Sequence, residues 1–282
     1  MGFFLVMKAE LVRTFIIMRR YWFRTVTGMI IGYSMLLMLV LGMMYKGQAV
    51  GQAASKLGAG QDATNWALGF IIGMFAFGVV GLFTQGLQEL AQSGQLEQLC
   101  MSPHGLVTNF MARSAVSSVS NILTSSLMIW LISKSVQGTL HADLVPTAVL
   151  LALTYFNLVG FGFMVGGLVL VFKQTGQVAV IIRMCLFGWA IFATDKINQW
   201  FTVAQLFAHA LPITDAAICL KYVLIQNQHV MDASGEMIFE SVFAHPSFYF
   251  LVVNSIAWTF IGIFCFKVLE NHSRTKGTLG AY

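Results

Sequence analysis

The sequence predicts an all-α integral membrane protein with six membrane-spanning helices. Of its 282 residues, 57% are hydrophobic and only 10% are charged, whereas soluble domains carry about 25% charged residues. A membrane-spanning helix needs about 20 mostly apolar residues. Six stretches meet this requirement: 28–45, 66–85, 103–133, 145–172, 177–194 and 246–267. A large soluble domain is excluded, and the net charge of +5 does not indicate binding to nucleic acid.

Residues 1–27 are interpreted as a separate amphipathic helix, preceding a six-helix transmembrane domain over 28–282. At 100° per residue, one face of this helix is apolar and carries Leu11, Phe15, Met18 and Trp22. The opposite face is basic and carries Arg13, Arg20 and Arg24. Such a helix lies in the membrane surface, with its arginines near anionic lipid or protein. The pattern leaves open whether it only anchors the chain or also contacts a partner.

The distribution of basic residues predicts how the chain is oriented. Cytoplasmic loops carry an excess of Lys and Arg. Most of the basic residues fall on one side if residues 1–27 are cytoplasmic, so both termini are expected inside the cell. Arg183 is the exception, because it lies within the fifth predicted span.

Residues 195–245, on the external side in this topology, are too apolar for an ordinary loop. Two short helices are predicted over 200–211 and 214–225, and Pro212 separates them. Neither is long enough to cross a bilayer. We expect a re-entrant helical hairpin that dips into the outer leaflet between spans five and six, which requires protein to cover its non-helical backbone. Pro212 is the candidate hinge of an outer gate.

A polar segment, residues 89–103, interrupts two long apolar runs and is called the island. Its carboxylates, Glu89 and Glu97, must reach water on one side of the membrane. A short helix is predicted to start at Ser93-Gly94, with its apolar and exposed sides formed by Leu96, Leu99 and Cys100, and by Gln95 and Gln98. Ser102-Pro103 is a typical start for the helix that follows.

The island resembles the signature of the type-2 permeases of ATP-binding-cassette transporters, which runs roughly E-x4-G-(S/T)-L-E-Q-L-x-x-(S/T)-P between their second and third membrane helices. The matching residues are Glu89, Gly94, Leu96, Glu97, Gln98, Leu99, Ser102 and Pro103. Gln95 departs from the usual Ser or Thr. Residues 211–217 are similar to the family's N-P-(L/I/M)-T-(Y/H)-A segment, with Leu211 in place of Asn, and residues 172–179 to its turn between helices four and five.

The resemblance implies the membrane subunit of an exporter in the bacterial cell (inner) membrane. It implies a dimer with a second copy or a sister permease, and two cytoplasmic ATPase subunits that carry ATP and Mg. The residues expected to contact the ATPase are Glu89, Gly94, Leu96, Glu97, Gln98 and Leu99 of the island, and Arg13, Arg20 and Arg24 of the first helix. We expect the substrate to be a hydrophobic or amphipathic small molecule, such as a drug, an antibiotic or a lipid-like compound.

Motifs for chemistry on this chain are missing from the sequence. There is no G-x-x-x-x-G-K-(S/T) for nucleotide phosphates, so the ATPase would be another polypeptide. The histidines form no H-E-x-x-H, and no nucleophile and base can be assigned to one depth. We therefore expect a transporter subunit that is not an enzyme and holds no cofactor or metal of its own.

The predicted spans contain few polar residues that could line a substrate pathway. Arg183 could extend to the headgroups, pair with an acidic or backbone partner, or bind an anionic part of a substrate. Asn121, Asn157 and Asn254 could form interhelical hydrogen bonds or contact a substrate. An alternative function is a non-transporting membrane scaffold that recruits a soluble partner through the island.

Overall fold

A computed structural model describes residues 2–50, 56–101, 105–136, 143–171, 176–194, 197, 200–231 and 237–275. Helices dominate this part of the chain: α1 (Gly2–Arg20), α2 (Trp22–Val50), α3 (Lys56–Gln92), α4 (Gln95–Cys100), α5 (Gly105–Val136), α6 (Leu144–Val171), α7 (Gly176–Phe192), α8 (Thr202–Ala210), α9 (Thr214–Leu224) and α10 (Pro246–Thr275). Two short antiparallel strands, β1 (His229–Met231) and β2 (Met237–Phe239), follow α9, and a 3₁₀ helix (Val242–Ala244) precedes α10.

Four helices of the described chain are long and apolar enough to cross a membrane. They are Thr64–Gln92 within α3, Gly105–Leu131 within α5, and the whole of α6 and α10. A fifth is added if α8 and α9, bent by 83° at their junction, form one broken span. The helical membrane-type architecture is thus confirmed, while the six predicted spans are not all matched by such helices. The fifth predicted span is the 17-residue α7, and the first lies in α2, where the side chains at 39, 40 and 43–50 are outside the described residues.

The helices continue beyond the apolar stretches that predicted them. α3 and α10 exceed the predicted bounds 66–85 and 246–267, and α10 ends only at Thr275. Its extra turns carry Glu270 and Arg274, which are good helix formers and pair one turn apart. The length of an apolar stretch reflects the thickness of the bilayer. The helix itself can continue beyond that stretch, until its backbone hydrogen bonding ends.

The first helix is shorter than predicted. α1 ends at Arg20, a single turn residue (Tyr21) follows, and α2 begins at Trp22, so Trp22 and Arg24 belong to the second helix. The amide of Tyr21 still donates to the carbonyl of Ile17 at 2.8 Å. No proline or glycine stands at this break, which is why the sequence pattern ran through it to residue 27.

The centre of the molecule is α3, which packs against α5, α6 and α7. Within its apolar window 78% of the residues are buried, against 17% for α5 and for α10. Glycines bring the helices together, as small residues do in membrane proteins. Gly162 and Gly166 of α6, which form a G-x-x-x-G, face Phe83 and Leu87 of α3.

On its other side α6 packs against α10, again through glycine. A Cβ added at Gly262 would fall on the carbonyl of Gly160, and one added at Gly160 would fall on the backbone at Trp258. The two backbones therefore touch where these helices cross. Helices α3, α6 and α10 run from the end of the bundle that holds α8 and α9, called the hairpin end, to the end that holds α4, called the island end.

At the hairpin end, α8 and α9 confirm the two short helices predicted on either side of Pro212. Leu211 is extended, as residues before proline tend to be, and the amide of Thr214 bonds the Leu211 carbonyl at 3.4 Å. Pro212 is the second residue of this turn, a position that its fixed φ favours. The strands β1 and β2 were not predicted.

Candidate functional site

A polar groove opens at the island end, where α1 meets the consecutive helices α3, α4 and α5. It is lined by Glu10 and Arg13 of α1, Leu90 of α3, Gln95, Gln98 and Leu99 of α4, and Asn109, Phe110 and Arg113 of α5. This set of residues is called the groove. It joins the N-terminal helix to the island, the two segments whose residues the resemblance assigns to partner contact.

The turn that separates α3 from α4 depends on a glycine. Gly94 has φ +70°, in the left-handed region where glycine ends helices without steric cost. The amide of Ser93 donates to Glu89 O at 3.0 Å, and that of Gly94 to Ala91 O at 3.2 Å. These bonds satisfy two carbonyls in the last turn of α3, and α4 starts at Gln95, directly after the predicted start at Ser93-Gly94.

The short helix α4 has the two faces predicted for it. Leu96 is 1% exposed and anchors the helix in the core, while Leu99 is half-buried. Gln95 and Gln98 are exposed and line the groove. The Glu97 side chain lies outside the described residues, as do residues 102–104, which include the predicted helix start at Ser102-Pro103.

The far end of α4 is held by a residue that the sequence did not indicate. Arg274 of α10 donates from Nη2 to the carbonyl of Cys100 at 3.4 Å and to Glu270 Oε1 at 2.6 Å. A cation at the last carbonyls of a helix also favours its dipole. The Glu270–Arg274 spacing of one turn was the available signal, but it gave no hint that the pair touches the island.

The charges of the groove are accessible and weakly paired. Arg13 Nη1 lies 3.4 Å from Glu10 Oε1, with 55% of the Arg13 side chain exposed. Such a pair contributes little stability and is easily exchanged for a pair with a partner. Arg113 is half-buried, and neither it nor Asn109 was predicted. Their one-turn spacing puts them on one face of α5, but only the tertiary structure shows that this face meets α4.

Other predicted contact residues stand apart from the groove lining. Glu89 is exposed near the end of α3. Arg20 ends α1 with its guanidinium 5.8 Å from the ring centre of Tyr21, and Arg24 lies on α2. The groove thus contains Arg13, Gln98 and Leu99 of the predicted set. Leu96 and Gly94 do not line it, but they position the helix α4 that does.

Arg183 of α7 is buried in the middle of the bundle. It is 3% exposed, its Nε donates to the Phe77 carbonyl of α3 at 3.1 Å, and its guanidinium carbon is 3.7 Å from the Phe77 ring centre. Gly81 leaves room for it, because a Cβ there would be 2.8 Å from Arg183 Cζ. Nη1 has no hydrogen-bond partner among the described residues.

Two of the predicted asparagines lie at the same level of α3 as Arg183. A Cβ at Gly78 would be 3.3 Å from Asn121 Nδ2. Asn157 is buried, and its Oδ1 lacks a hydrogen-bond partner in the described structure. It lies on α6, whose register against α3, extended back from the glycine contacts with Phe83 and Leu87, brings it level with Gly78.

Asn254, the fourth residue proposed for the pathway, lies elsewhere, at the hairpin end. Its Nδ2 donates to the His209 carbonyl, and Trp258 Nε1 donates to the Ala210 carbonyl at 3.0 Å. These carbonyls belong to the last turn of α8, immediately before Pro212, which is itself buried. Across the turn, His209 Nδ1 lies 2.7 Å from Asp215 Oδ1, with both side chains buried.

A second buried cation, Lys221 of α9, ends helix α7. Its Nζ donates to the carbonyls of Ala190 at 3.2 Å, Ile191 at 3.0 Å and Ala193 at 2.8 Å. A cation at the C-terminus of a helix satisfies carbonyls that the helix itself leaves open. From sequence Lys221 was only one basic residue of the external side.

No family model matches the chain. No curated protein matches it either. Within the described residues, no group of three or more His, Cys, Asp or Glu side chains could hold a metal ion.

Proposed function

We propose that this chain is the membrane subunit of an ATP-driven exporter of the type-2 ABC permease class, and that its groove docks the ATPase. One observation carries the proposal. The groove joins α1 and α4, the two segments that the resemblance assigns to the ATPase, although some eighty residues separate them in sequence. The two segments that the resemblance assigns to a single partner therefore form one continuous surface.

The construction of α4 suits a part that transmits force. Its exposed glutamines would meet the partner, while buried Leu96 and the Arg274 bond to Cys100 couple it to the core and to α10. A displacement of α4 would therefore shift the helices behind it. Because the groove carries exposed polar groups and no catalytic set, ATP and Mg would reside on the partner.

In the proposed topology the island end faces the cytoplasm and the hairpin end faces outward. Helices α2, α3, α5, α6, α7 and α10 would be the six spans of a permease in a bacterial inner membrane, with both termini inside. The exposed apolar side chains of Leu11, Phe15 and Met18 support α1 as an elbow helix, an amphipathic helix that lies in the membrane surface before the first span. The 83° bend between α8 and α9 supports a re-entrant helical hairpin.

For transport we propose a dimer, with a second copy or a sister permease, that binds two ATPase subunits. A hydrophobic or amphipathic drug, antibiotic or lipid-like compound would pass between the permeases and be expelled past the α8–α9 turn at Pro212. As a permease subunit the chain would not itself be an enzyme.

Labelling of single cysteines tests the orientation. In a variant whose four native cysteines are replaced, a membrane-impermeant maleimide added to intact cells should label Asn227→Cys and spare Gln98→Cys. Both positions should react after the cells are opened, which controls for local accessibility. Labelling of Gln98→Cys in intact cells would reverse the topology and reject the proposal.

Charge substitution in the island tests the docking role. Glu97→Arg and Gln98→Arg should insert normally yet lose export and most of the copurifying ATPase, because they place cations where the partner is expected. Gln226→Arg, an equally exposed glutamine at the hairpin end, is the matched control and should keep both. If the two island variants export as well as the control, the island is only a turn.

The scaffold alternative would use the same groove, so docking alone does not separate it from transport. The purified complex should hydrolyse ATP faster when a transported amphiphile is added. A complex that recruits its partner but shows neither stimulation by compounds nor movement of them across vesicles would be a scaffold.

A further inference from the structure

The environment of Arg183 is unusual for a buried charge. A guanidinium remains charged in proteins and offers N–H donors in a planar fork. Here the fork is only partly used: Nε bonds the Phe77 carbonyl, whereas Nη1 has no hydrogen-bond partner in the described part of the chain. Arg183 also has no ion-pair partner among the described residues. A buried charge without a counter-charge is expensive, and in a membrane span it marks a functional site.

The space around the guanidinium is shaped by missing side chains. Gly69, Gly73 and Gly81 lie on one face of α3, at intervals of one and two turns, and all face α7. Cβ atoms at Gly69 and Gly73 would be 2.8 Å from the Ile191 and Phe187 backbone of α7. This seam of bare backbone ends at Gly81 in the notch that accepts Arg183. Beside the seam, aromatic side chains of the two helices are in contact, Phe70 with Phe187 and Trp66 with Phe192.

A simple structural tie does not account for this arrangement. Arg183 lies about two turns, or roughly 10 Å, inside α7, and its guanidinium lies against Phe77 and Gly81 of α3. One neutral donor would be enough to bond the Phe77 carbonyl. The cation and its open Nη1 instead leave donors available between the apolar faces of α3 and α7.

We propose that Arg183 binds the anionic head of an acidic amphiphile, a carboxylate or phosphate ester carrying an apolar tail. The guanidinium fork matches the two oxygens of either group, and the tail would contact the apolar helix faces. Because α7 packs closely on α3 beside Arg183, the head would enter this site after α7 moves away from the glycine seam. This inference rests on the proposed function and specifies its substrate class as acidic.

Ligand binding to the purified full-length chain tests the inference without any ATPase. The probes are dansyl-aminoundecanoic acid and its uncharged methyl ester, compared by fluorescence titration in a neutral detergent. We expect the acid to bind at least tenfold more tightly than the ester. Arg183→Gln should abolish this preference while leaving affinity for the ester unchanged, and Arg183→Lys should retain part of it. Lys134→Gln, which removes an exposed cation, should behave as the wild type.

A second variant keeps the test decisive if Arg183→Gln does not fold. Gly81→Ala leaves the charge in place but puts a methyl group 2.8 Å from Arg183 Cζ, so the preference for the acid should fall at least threefold. Equal affinity of the wild type for acid and ester overturns the inference. So does an undiminished preference in Gly81→Ala together with one in any folded Arg183→Gln.

Two further readouts identify the source of the anion and separate this inference from the proposed function. In nanodiscs, phosphatidylglycerol that displaces the acid probe where phosphatidylcholine does not would identify a lipid headgroup, and no displacement would identify a free amphiphile. If the acid does not bind but the ATPase still copurifies and export persists, only the anion site is lost. If the acid binds but no ATPase is recruited, the exporter proposal fails and the anion site stands.

Discussion

The two ends of the bundle use polar residues in opposite ways. At the island end the polar side chains that line the groove are exposed or half-buried, and they pair locally, as Arg13 does with Glu10. At the hairpin end, buried Lys221 bonds the open carbonyls at the end of α7, and half-buried Asn254 bonds one at the end of α8. The first arrangement keeps donors and acceptors available to another molecule. The second uses them to hold an irregular backbone in place.

This contrast separates polar groups that are available for binding from polar groups that stabilise the fold. A buried polar group must be bonded within the protein, because no water can replace the bond. The polar groups of the hairpin end are therefore committed, and their loss should be felt as stability. Those of the groove have water as an alternative partner, so their loss should be felt as binding. Substitutions at Lys221, Pro212 and Arg274 test that division.

The largest effect is expected at Lys221. Lys221→Met keeps the length of the side chain but leaves three carbonyls at the C-terminus of α7 without their donor, which should lower the free energy of unfolding by about 3 kcal/mol. Thermal unfolding in detergent measures the change. Lys134→Met removes an exposed cation from α5 and should have no measurable effect. An unchanged melting temperature in Lys221→Met would mean that water replaces the ammonium and that internal hydrogen bonds do not stabilise the hairpin end.

A smaller effect is expected at Pro212. Pro212→Ala should lower stability by about 1 kcal/mol, because proline restricts the unfolded chain and its φ suits the turn. The bend should survive, since His209, Asn254 and Trp258 still hold both sides of it. Export should nevertheless fall several-fold with ATPase binding intact, if this turn yields as substrate leaves.

Pro146→Ala provides the matched comparison for Pro212, because Pro146 lies in the first turn of the helix α6. It should leave export unchanged. If Pro212→Ala alters neither export nor labelling of the hairpin end from outside, the hinge role is wrong, although the architecture stands.

The smallest effect on stability is expected at Arg274. Its side chain is 43% exposed and its bond to Glu270 is screened, so Arg274→Ala should lower stability by about 0.5 kcal/mol. Because the same side chain bonds the end of α4, ATPase copurification should drop a few-fold. Lys267→Ala, an exposed cation on the same helix, is the control. A stability loss as large as that of Lys221→Met would erase the distinction between the two ends.

The sequence predicted elements whose signals are local. The long apolar runs predicted the positions of α3, α5, α6 and α10. The island predicted α4 with its buried Leu96, because a glycine and a short apolar face are enough to define so short a helix. It missed what depends on distant partners. Nothing local shows that Lys221 reaches α7 or that Arg113 faces α4. The strands β1 and β2 have three residues each, too few for an alternating pattern to be recognised.

The residues of the candidate site also divide into those that local patterns predict and those that depend on distant partners. Arg13, Gln98 and Leu99 were predicted from motif and helical spacing, and the structure brings them together. For Asn254 the sequence left open an interhelical hydrogen bond or a contact with substrate; the structure shows the interhelical bond, and only the fold identifies α8 as its partner. Trp22 and Arg24 were placed on the wrong helix, since a break without proline or glycine leaves no mark in the sequence.

The backbone contact between Gly160 and Gly262 is one of several that hold α10 to α6 along its length. Ser255 donates to the Leu153 carbonyl on one side of it, and Ser273 donates to the Leu170 carbonyl on the other. The same helix α10 bonds α8 through Trp258, about 6 Å along the axis from Gly262, and α4 through Arg274, about 18 Å from it in the other direction. The pair α6–α10 is therefore a single beam through the bundle, and a displacement of α4 that moves this pair as one body also moves the end of α8 beside Pro212.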